Sequence, residues 1–230
     1  MILLPEYHQG APEWGDLTLA PSALTIRSHG CFSVAVCAAL HAFQVNWTPR
    51  EFRDRAVEHH GYDADGLLVW DAIRRMTGDR VFWHERVYTS NDPRNNGLAM
   101  KANVALAKVC RYIDLGMPVI LCVDAVGNDG YPDHAVVTED YRLSPSIDFR
   151  IMDPARGRKF MFSEVYGDPR KKVYGYVSFI GPATMYPDGS PHKGEGSVLW
   201  KQKCIELGIN VPTYARETVD TMLSPTITIA

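Results

Sequence analysis

The sequence predicts an α+β fold in which an antiparallel sheet follows a set of helices. Residues 31–43, 48–59 and 99–115 carry the apolar periodicity or the start signals of helices. Residues 118–123 and 134–138 are short apolar runs rich in β-branched residues, and turn-forming residues separate them. Because the helices precede the strands rather than alternating with them, the pattern favours α+β over a parallel α/β sheet.

The first half of the chain is expected to begin with a loop and continue with helices. Residues 7–26 are rich in Gly, Pro and Ser, which predicts a loop with one short strand. The almost uncharged run 31–43 predicts a buried helix. Thr48 at the N-cap, Pro49 at the first helical position and Glu51 two residues later predict the start of the next helix. The remaining elements expected in this half are helices over 67–77 and 99–115 and a strand over 81–89.

The second half predicts the rest of the sheet, followed by an appendage. The strands expected here lie over 118–123, 134–138, 149–153 and 174–180. After Gly181 the composition changes to a linker rich in Gly, Pro and Lys. We therefore expect one domain over residues 1–181 and a C-terminal segment over 182–230 that binds a protein partner. The elements expected in that segment are helices over 197–207 and 213–223 and an extended tail over 226–229.

Composition and charge exclude several classes of partner. Of the 230 residues, 46% are hydrophobic and 22% are charged, as in ordinary globular proteins. The net charge of −3 gives no reason to expect a nucleic-acid partner or an anionic membrane surface. No apolar run approaches the roughly 20 residues that a membrane span needs, and the N-terminus lacks the basic region of a signal peptide. We expect a cytoplasmic or virion-associated protein.

The cysteines indicate a reducing compartment and no metal centre. There are five of them, an odd number without paired spacing, which is a poor basis for a disulfide framework. No Cys-x-x-Cys or His-x-x-x-His spacing typical of zinc ligands occurs. We therefore expect free thiols, and neither a metal nor a cofactor.

Cys31 is the cysteine best placed for chemistry. It follows Gly30 and opens the first strong helix, where free backbone N–H groups and the helix dipole favour a thiolate. Cys37 lies six residues later, about 240° around the helix, and should face the core instead. A thiolate at position 31 would be a nucleophile at neutral pH.

A cysteine nucleophile needs a base, a group that orients the base and donors for an oxyanion. His134 opens a predicted strand directly after a turn, which would project its side chain from the edge of the sheet. Asp153 ends the neighbouring predicted strand, where its carboxylate could reach the imidazole. The side-chain amide of Gln9 could form an oxyanion hole together with the backbone N–H of Cys31.

These residues and their order resemble a known family, the papain-like cysteine peptidases of the bacteriocin-processing type. Members of that family cleave leader peptides after a double glycine, and stand-alone relatives occur in bacteria and their phages. The resemblance covers roughly residues 5–180. Its motifs, in order, are Tyr7-x-Gln9, Trp14, Ile26, Gly30-Cys31, Gly116-x-Pro118-Val119-Ile120, His134-x-Val136-Val137 and Asp153-Pro154-x-x-Gly157.

The resemblance implies both a fold and a reaction. The fold would be papain-like, with Cys31 on a central helix packed on an antiparallel sheet. Cys31 would be the nucleophile, His134 the general base and acid, Asp153 its orienting group and Gln9 the oxyanion donor. The reaction would hydrolyse an amide bond through a thioester, and the substrate would be a peptide or a cell-wall peptide.

Other interpretations of the same residues stay open. Cys31 could be an ordinary core cysteine, His134 a hairpin cap, Asp153-Pro154 a common turn dipeptide and Gln9 a solvated loop residue. The chain could be a catalytically idle papain-like module, a structural or binding component such as a part of a phage particle, with residues 183–230 as its docking segment. It could also be an amidase or acyltransferase that uses the same triad.

Overall fold

The structure is a computed structural model that describes residues 2–92, 99–125 and 132–181. The predicted linker, helices and extended tail of segment 182–230 lie outside the described residues, as does the predicted turn at 127–130. Within the described chain, helices dominate the first half and strands the second half, as the sequence predicts.

Seven helices and six strands occur among the described residues. The helices are α1 (Ile26–His29), α2 (Cys31–Leu40), α3 (Pro49–Glu58), α4 (Trp70–Met76), α5 (Ala102–Asp114), α6 (Phe162–Val165) and α7 (Pro169–Lys172), and a 3-10 turn over His41–Phe43 follows α2. The strands are β1 (Phe82–Tyr88), β2 (Val119–Val123), β3 (His134–Arg142), β4 (Asp148–Asp153), β5 (Arg158–Met161) and β6 (Val173–Ile180).

The six strands form one antiparallel sheet in the order β1-β6-β2-β3-β4-β5. The predicted mixed α+β class with an antiparallel sheet is therefore confirmed. Strand β1 comes from the helical half of the chain and pairs with the late strand β6. No helix among the described residues is both long enough and apolar enough to cross a membrane.

Helix α2 is the centre of the core. Every residue from Ser33 to Leu40 is buried, although a surface helix would bury only one stripe. Its small side chains, among them Ala35 and Ala38, allow close packing against β3. Helix α5 packs against β3 and β6, so that the sheet and both helices share one hydrophobic core.

Some element boundaries differ from the predicted ones for identifiable reasons. Helix α3 starts as predicted, because Thr48 and Glu51 form a reciprocal capping box. Helix α4 begins at Trp70 rather than at residue 67, because the carboxylate of Asp63 accepts the Leu67 N–H at 2.8 Å in a preceding turn. The predicted short strand near the N-terminus is a single bridge between Thr18 and Thr25.

Candidate active site

The ends of three elements bring Cys31, His134 and Asp153 together. Cys31 is the first residue of α2, His134 the first of β3 and Asp153 the last of β4. Because β3 and β4 are antiparallel neighbours, the start of β3 and the end of β4 lie at the same end of the sheet. Packing of α2 on β3 then brings the start of the helix to this place.

Gly30 allows α1 to lead directly into α2. A Cβ at this position would lie 2.5 Å from the carbonyl oxygen of Ile26, closer than real Cβ atoms approach. The Gly30 N–H donates to the same oxygen at 2.8 Å, which closes α1 immediately before Cys31. The glycine of the Gly30-Cys31 motif is therefore required by a close backbone approach.

His134 and Asp153 form a buried pair. Nε2 of His134 lies 2.7 Å from Oδ1 of Asp153, and the exposed fractions of the two side chains are 8% and 0%. Since an ionised carboxylate only accepts hydrogen bonds, Nε2 carries the proton that it donates. The other ring nitrogen, Nδ1, is then the atom that can exchange a proton with Cys31.

The electrostatics of this pair favour a charged imidazole. Burial acts to lower the pKa of His134, but hydrogen bonding to Asp153 and interaction with the Cys31 side chain raise it from 6.5 to about 9. Burial acts to raise the pKa of Asp153, yet the hydrogen bond and charge of His134 leave it lowered. At neutral pH the arrangement therefore holds an imidazolium between Cys31 and a carboxylate.

Cys31 differs from the other described cysteines in its accessibility. It is partly exposed, whereas Cys37, Cys110 and Cys122 are buried, and all four are free thiols. Cys37 lies in the core, as its position on the helix predicts, and its thiol donates to the Trp47 carbonyl at 3.1 Å. Burial, followed by the charge of Glu51, raises the pKa of Cys37 well above its ordinary value. Of these four thiols, Cys31 is the one that a substrate can reach.

Gln9 lies between the turn after Asp153 and the helix before Cys31. Its backbone N–H donates to the Pro154 carbonyl at 2.8 Å, and its side-chain Nε2 donates to the Arg27 carbonyl at 2.8 Å. Its Oε1 is buried without a hydrogen-bond partner. The structure thus places Gln9 beside the elements that carry the three candidate residues, with no hydrogen bond to Cys31 or His134, and one Nε2 proton already binds the Arg27 carbonyl.

Gly157 explains why the loop of Gln9 reaches this turn. The residue has a positive φ of 64°, and a Cβ there would lie 2.5 Å from the Cβ of His8. The N–H groups of Arg156 and Gly157 both donate to the Asp153 carbonyl, which closes the turn. A glycine at position 157 therefore allows the N-terminal segment to pack directly on the turn that follows β4.

Two contacts of Asp153 were not predicted from the sequence. The Tyr166 hydroxyl donates to Oδ2 of Asp153 at 2.6 Å, and Nε of Arg156 lies 3.3 Å from the same oxygen. Arg156 lies in the turn of the Asp153-Pro154-x-x-Gly157 motif, so its proximity could have been inferred. Tyr166 follows a short helix that no sequence pattern indicated, and no signal in the chain marks it.

Among the residues that the structure describes, no group of three or more His, Cys, Asp or Glu side chains could hold a metal ion. Comparison of the chain with protein-family models, with curated proteins and with solved structures finds no match. The case for a function therefore depends on the geometry of Cys31, His134 and Asp153.

Proposed function

We propose that this chain is a cysteine-dependent hydrolase with a papain-like fold, which cleaves an amide bond in a peptide or a cell-wall peptide. One observation carries the proposal. His134 is hydrogen-bonded to the buried Asp153 through Nε2 and interacts with the accessible Cys31 on its other side. A thiol next to an imidazole that is itself hydrogen-bonded to a carboxylate is the arrangement that nucleophilic acyl transfer needs.

In the first half of the reaction a thioester forms. The Cys31 thiolate attacks the amide carbonyl carbon, the C–S bond forms and the carbonyl π electrons move to the oxygen. The backbone N–H of Cys31, at the N-terminus of α2, is a donor for this oxyanion, and the remaining amide proton of Gln9 is proposed as the second. Nδ1 of His134 then gives its proton to the leaving nitrogen as the C–N bond breaks.

In the second half water cleaves the thioester. Neutral His134 accepts a proton from the water as its oxygen attacks the carbonyl carbon. The C–S bond then breaks, a carboxylic acid leaves and the thiolate is restored beside an imidazolium. Throughout the cycle Asp153 stays ionised and holds Nε2, which keeps Nδ1 directed at the reacting atoms.

The proposal predicts that Cys31→Ala abolishes cleavage while the fold is retained, since the alanine removes only the partly exposed sulfur. The wild-type protein is incubated with a peptide library and with peptidoglycan peptides in ¹⁸O-water, and mass spectrometry detects new termini. New carboxyl ends that carry ¹⁸O indicate hydrolysis, whereas products joined to an added amine would indicate transfer. Cys110→Ala, a cysteine outside the proposed triad, is the matched control and should cleave as the wild type does.

Two outcomes would contradict the proposal. If the wild-type protein produces no new termini from either substrate set, the module is catalytically idle toward these classes. If Cys31→Ala produces the same termini as the wild type, the nucleophile is not Cys31. Loss of cleavage in Cys31→Ala counts only when circular dichroism and thermal unfolding show that the variant is folded.

A further inference from the structure

The carboxylate of Asp153 has a separate set of partners on each oxygen. Oδ1 accepts from His134 Nε2 at 2.7 Å and from the Ala155 N–H at 2.8 Å. Oδ2 accepts from the Tyr166 hydroxyl at 2.6 Å and lies 3.3 Å from Nε of Arg156. Because a carboxylate can rotate about its side-chain bonds, the partners of Oδ2 help to determine, together with the Ala155 N–H, where Oδ1 points.

Tyr166 is the stronger of the two partners of Oδ2. Its ring is partly buried and packs against Phe162, with centroids 5.1 Å apart, and beside the imidazole of His134 at 6.4 Å. The Arg156 side chain is 49% exposed and its contact is longer, so water screens that ion pair. A short hydrogen bond shielded by two rings holds an oxygen more firmly than a screened pair.

Tyr166 is itself held in place by the fold. It caps α6, and Phe162 at the start of that helix is fully buried. The N–H and the hydroxyl of Ser163 bind the carboxylate of Asp148 at 3.0 and 2.6 Å. Asp148 is the first residue of β4 and Asp153 the last, so α6 is joined to both ends of the strand that carries the carboxylate.

Tyr166 keeps the proton that it donates. Burial, followed by the hydrogen bond to Asp153, raises the pKa of Tyr166 well above its ordinary value. The pKa of Asp153 is lowered, so that the carboxylate is the acceptor at every pH at which His134 titrates. The direction of the hydrogen bond is therefore constant through the proposed catalytic cycle.

We propose that Tyr166 is a positioning residue: its hydroxyl fixes Oδ2 of Asp153 so that Oδ1 holds Nε2 of His134 and directs Nδ1 at Cys31. The inference rests on the proposed function, because it assigns Tyr166 a part in the same triad. It makes Cys–His–Asp–Tyr, rather than Cys–His–Asp, the functional unit. Arg156 also helps to fix Oδ2 of Asp153, but more weakly than Tyr166.

The test is Tyr166→Phe in the full-length chain, which removes the hydroxyl and keeps the ring. Tyr141→Phe is a matched control, because the Tyr141 hydroxyl also donates to an aspartate, Asp114, at 2.9 Å, and lies at the opposite end of β3. Two readouts are taken: the titration midpoint and tautomer of His134 by ¹⁵N NMR, and the rate at which iodoacetamide alkylates Cys31 at pH 6.

For Tyr166→Phe we expect the His134 midpoint to fall by about one unit, the neutral ring to lose its exclusive Nε2–H tautomer, and alkylation of Cys31 to slow about tenfold. Arg156→Gln should cause a smaller change in the same direction. Tyr141→Phe should leave both readouts unchanged, even if it lowers the unfolding temperature.

A Tyr166→Phe variant with a lower unfolding temperature but unchanged midpoint and tautomer would show a merely structural role and overturn the inference. A rise in the His134 midpoint would also overturn the inference. It would show that the Tyr166 hydroxyl weakens the interaction of the Asp153 carboxylate with His134 instead of orienting it. The NMR readout needs no turnover. If the wild-type protein fails to hydrolyse peptides but Tyr166→Phe changes the midpoint and tautomer of His134 as expected, the result contradicts the proposed function and not the positioning role.

Discussion

His134 has a buried carboxylate on one side and a thiol on the other, and both favour its charged form. The desolvation that would ordinarily neutralise a buried histidine is more than offset by these partners. The histidine can therefore donate a proton at neutral pH, as the departure of an amine in the proposed reaction would require. The raised pKa of His134 also makes the stability of the fold depend on pH.

This linkage predicts a pH-dependent contribution of His134 to stability. The pKa of His134 is about 9 in the folded protein and about 6.5 when unfolded, so the contribution is complete below pH 6.5 and is lost as the pH rises through 9. Denaturant unfolding of the wild type and of His134→Gln should differ most at pH 6, and the difference should shrink by on the order of 3 kcal/mol by pH 9.5. If the difference in unfolding free energy between the two proteins is constant from pH 6 to pH 9.5, the raised pKa of His134 is contradicted.

The positions of the candidate residues were predictable from the sequence where local signals exist. Gly30-Cys31 at a helix start and His134 at a strand start could be recognised from their neighbours in the chain. The contact of Tyr166 with Asp153 could not, because it depends on how α6 lies against β4. The engagement of Gln9 with the Arg27 carbonyl likewise depends on tertiary packing of a loop.

At the scale of elements, the buried carboxylate of Glu85 joins β1, α5 and β6. Glu85 on β1 accepts from the hydroxyl of Tyr112 at 2.7 Å and from that of Tyr176, and Lys108 approaches it at 3.0 Å. Burial acts to raise the pKa of Glu85, but the two tyrosine hydroxyls and then Lys108 leave it lowered. The cluster attaches the edge strand β1 to the rest of the core.

Replacing Glu85 should therefore destabilise the folded protein. Glu85→Ala leaves two hydroxyls and an ammonium without their acceptor, and we expect it to lower the free energy of unfolding by about 3 kcal/mol. Tyr112→Phe removes only one donor and should cost about 1 kcal/mol. Urea unfolding measures both. A loss below 1 kcal/mol for Glu85→Ala would show that the cluster adds little to the attachment of β1.

Elements with strong local signals were predicted well, whereas β5 and the last residues of β3 were not. Helix α3 begins where its capping residues indicated. Strand β5 was missed because Arg158–Met161 lacks β-branched residues and becomes a strand only by pairing with β4. Strand β3 continues to Arg142, beyond the predicted 138, because its polar end pairs with β4 past a bulge.

At the scale of the whole molecule, the order of helices and strands predicted the fold class, while the strand order was not predictable. Strand β1 joins the sheet beside β6, far away in the sequence, and no local pattern reveals that pairing. The result is a sheet whose one end carries His134 and Asp153 and faces the start of α2. Three separate element ends thus form a site on a rigid scaffold.

The measurement that tests the central claim most directly is the rate of Cys31 alkylation by iodoacetamide from pH 4 to 9, followed by mass spectrometry of the peptide that contains Cys31. His134→Ala is compared with the wild type, and His29→Ala, which removes the exposed histidine two residues before Cys31, is the matched control. We predict that alkylation at pH 6 is about tenfold slower in His134→Ala than in the wild type and unchanged in His29→Ala, because His134 is the base that interacts with the thiol. Equal alkylation rates for the wild type and His134→Ala over the whole pH range would contradict the account.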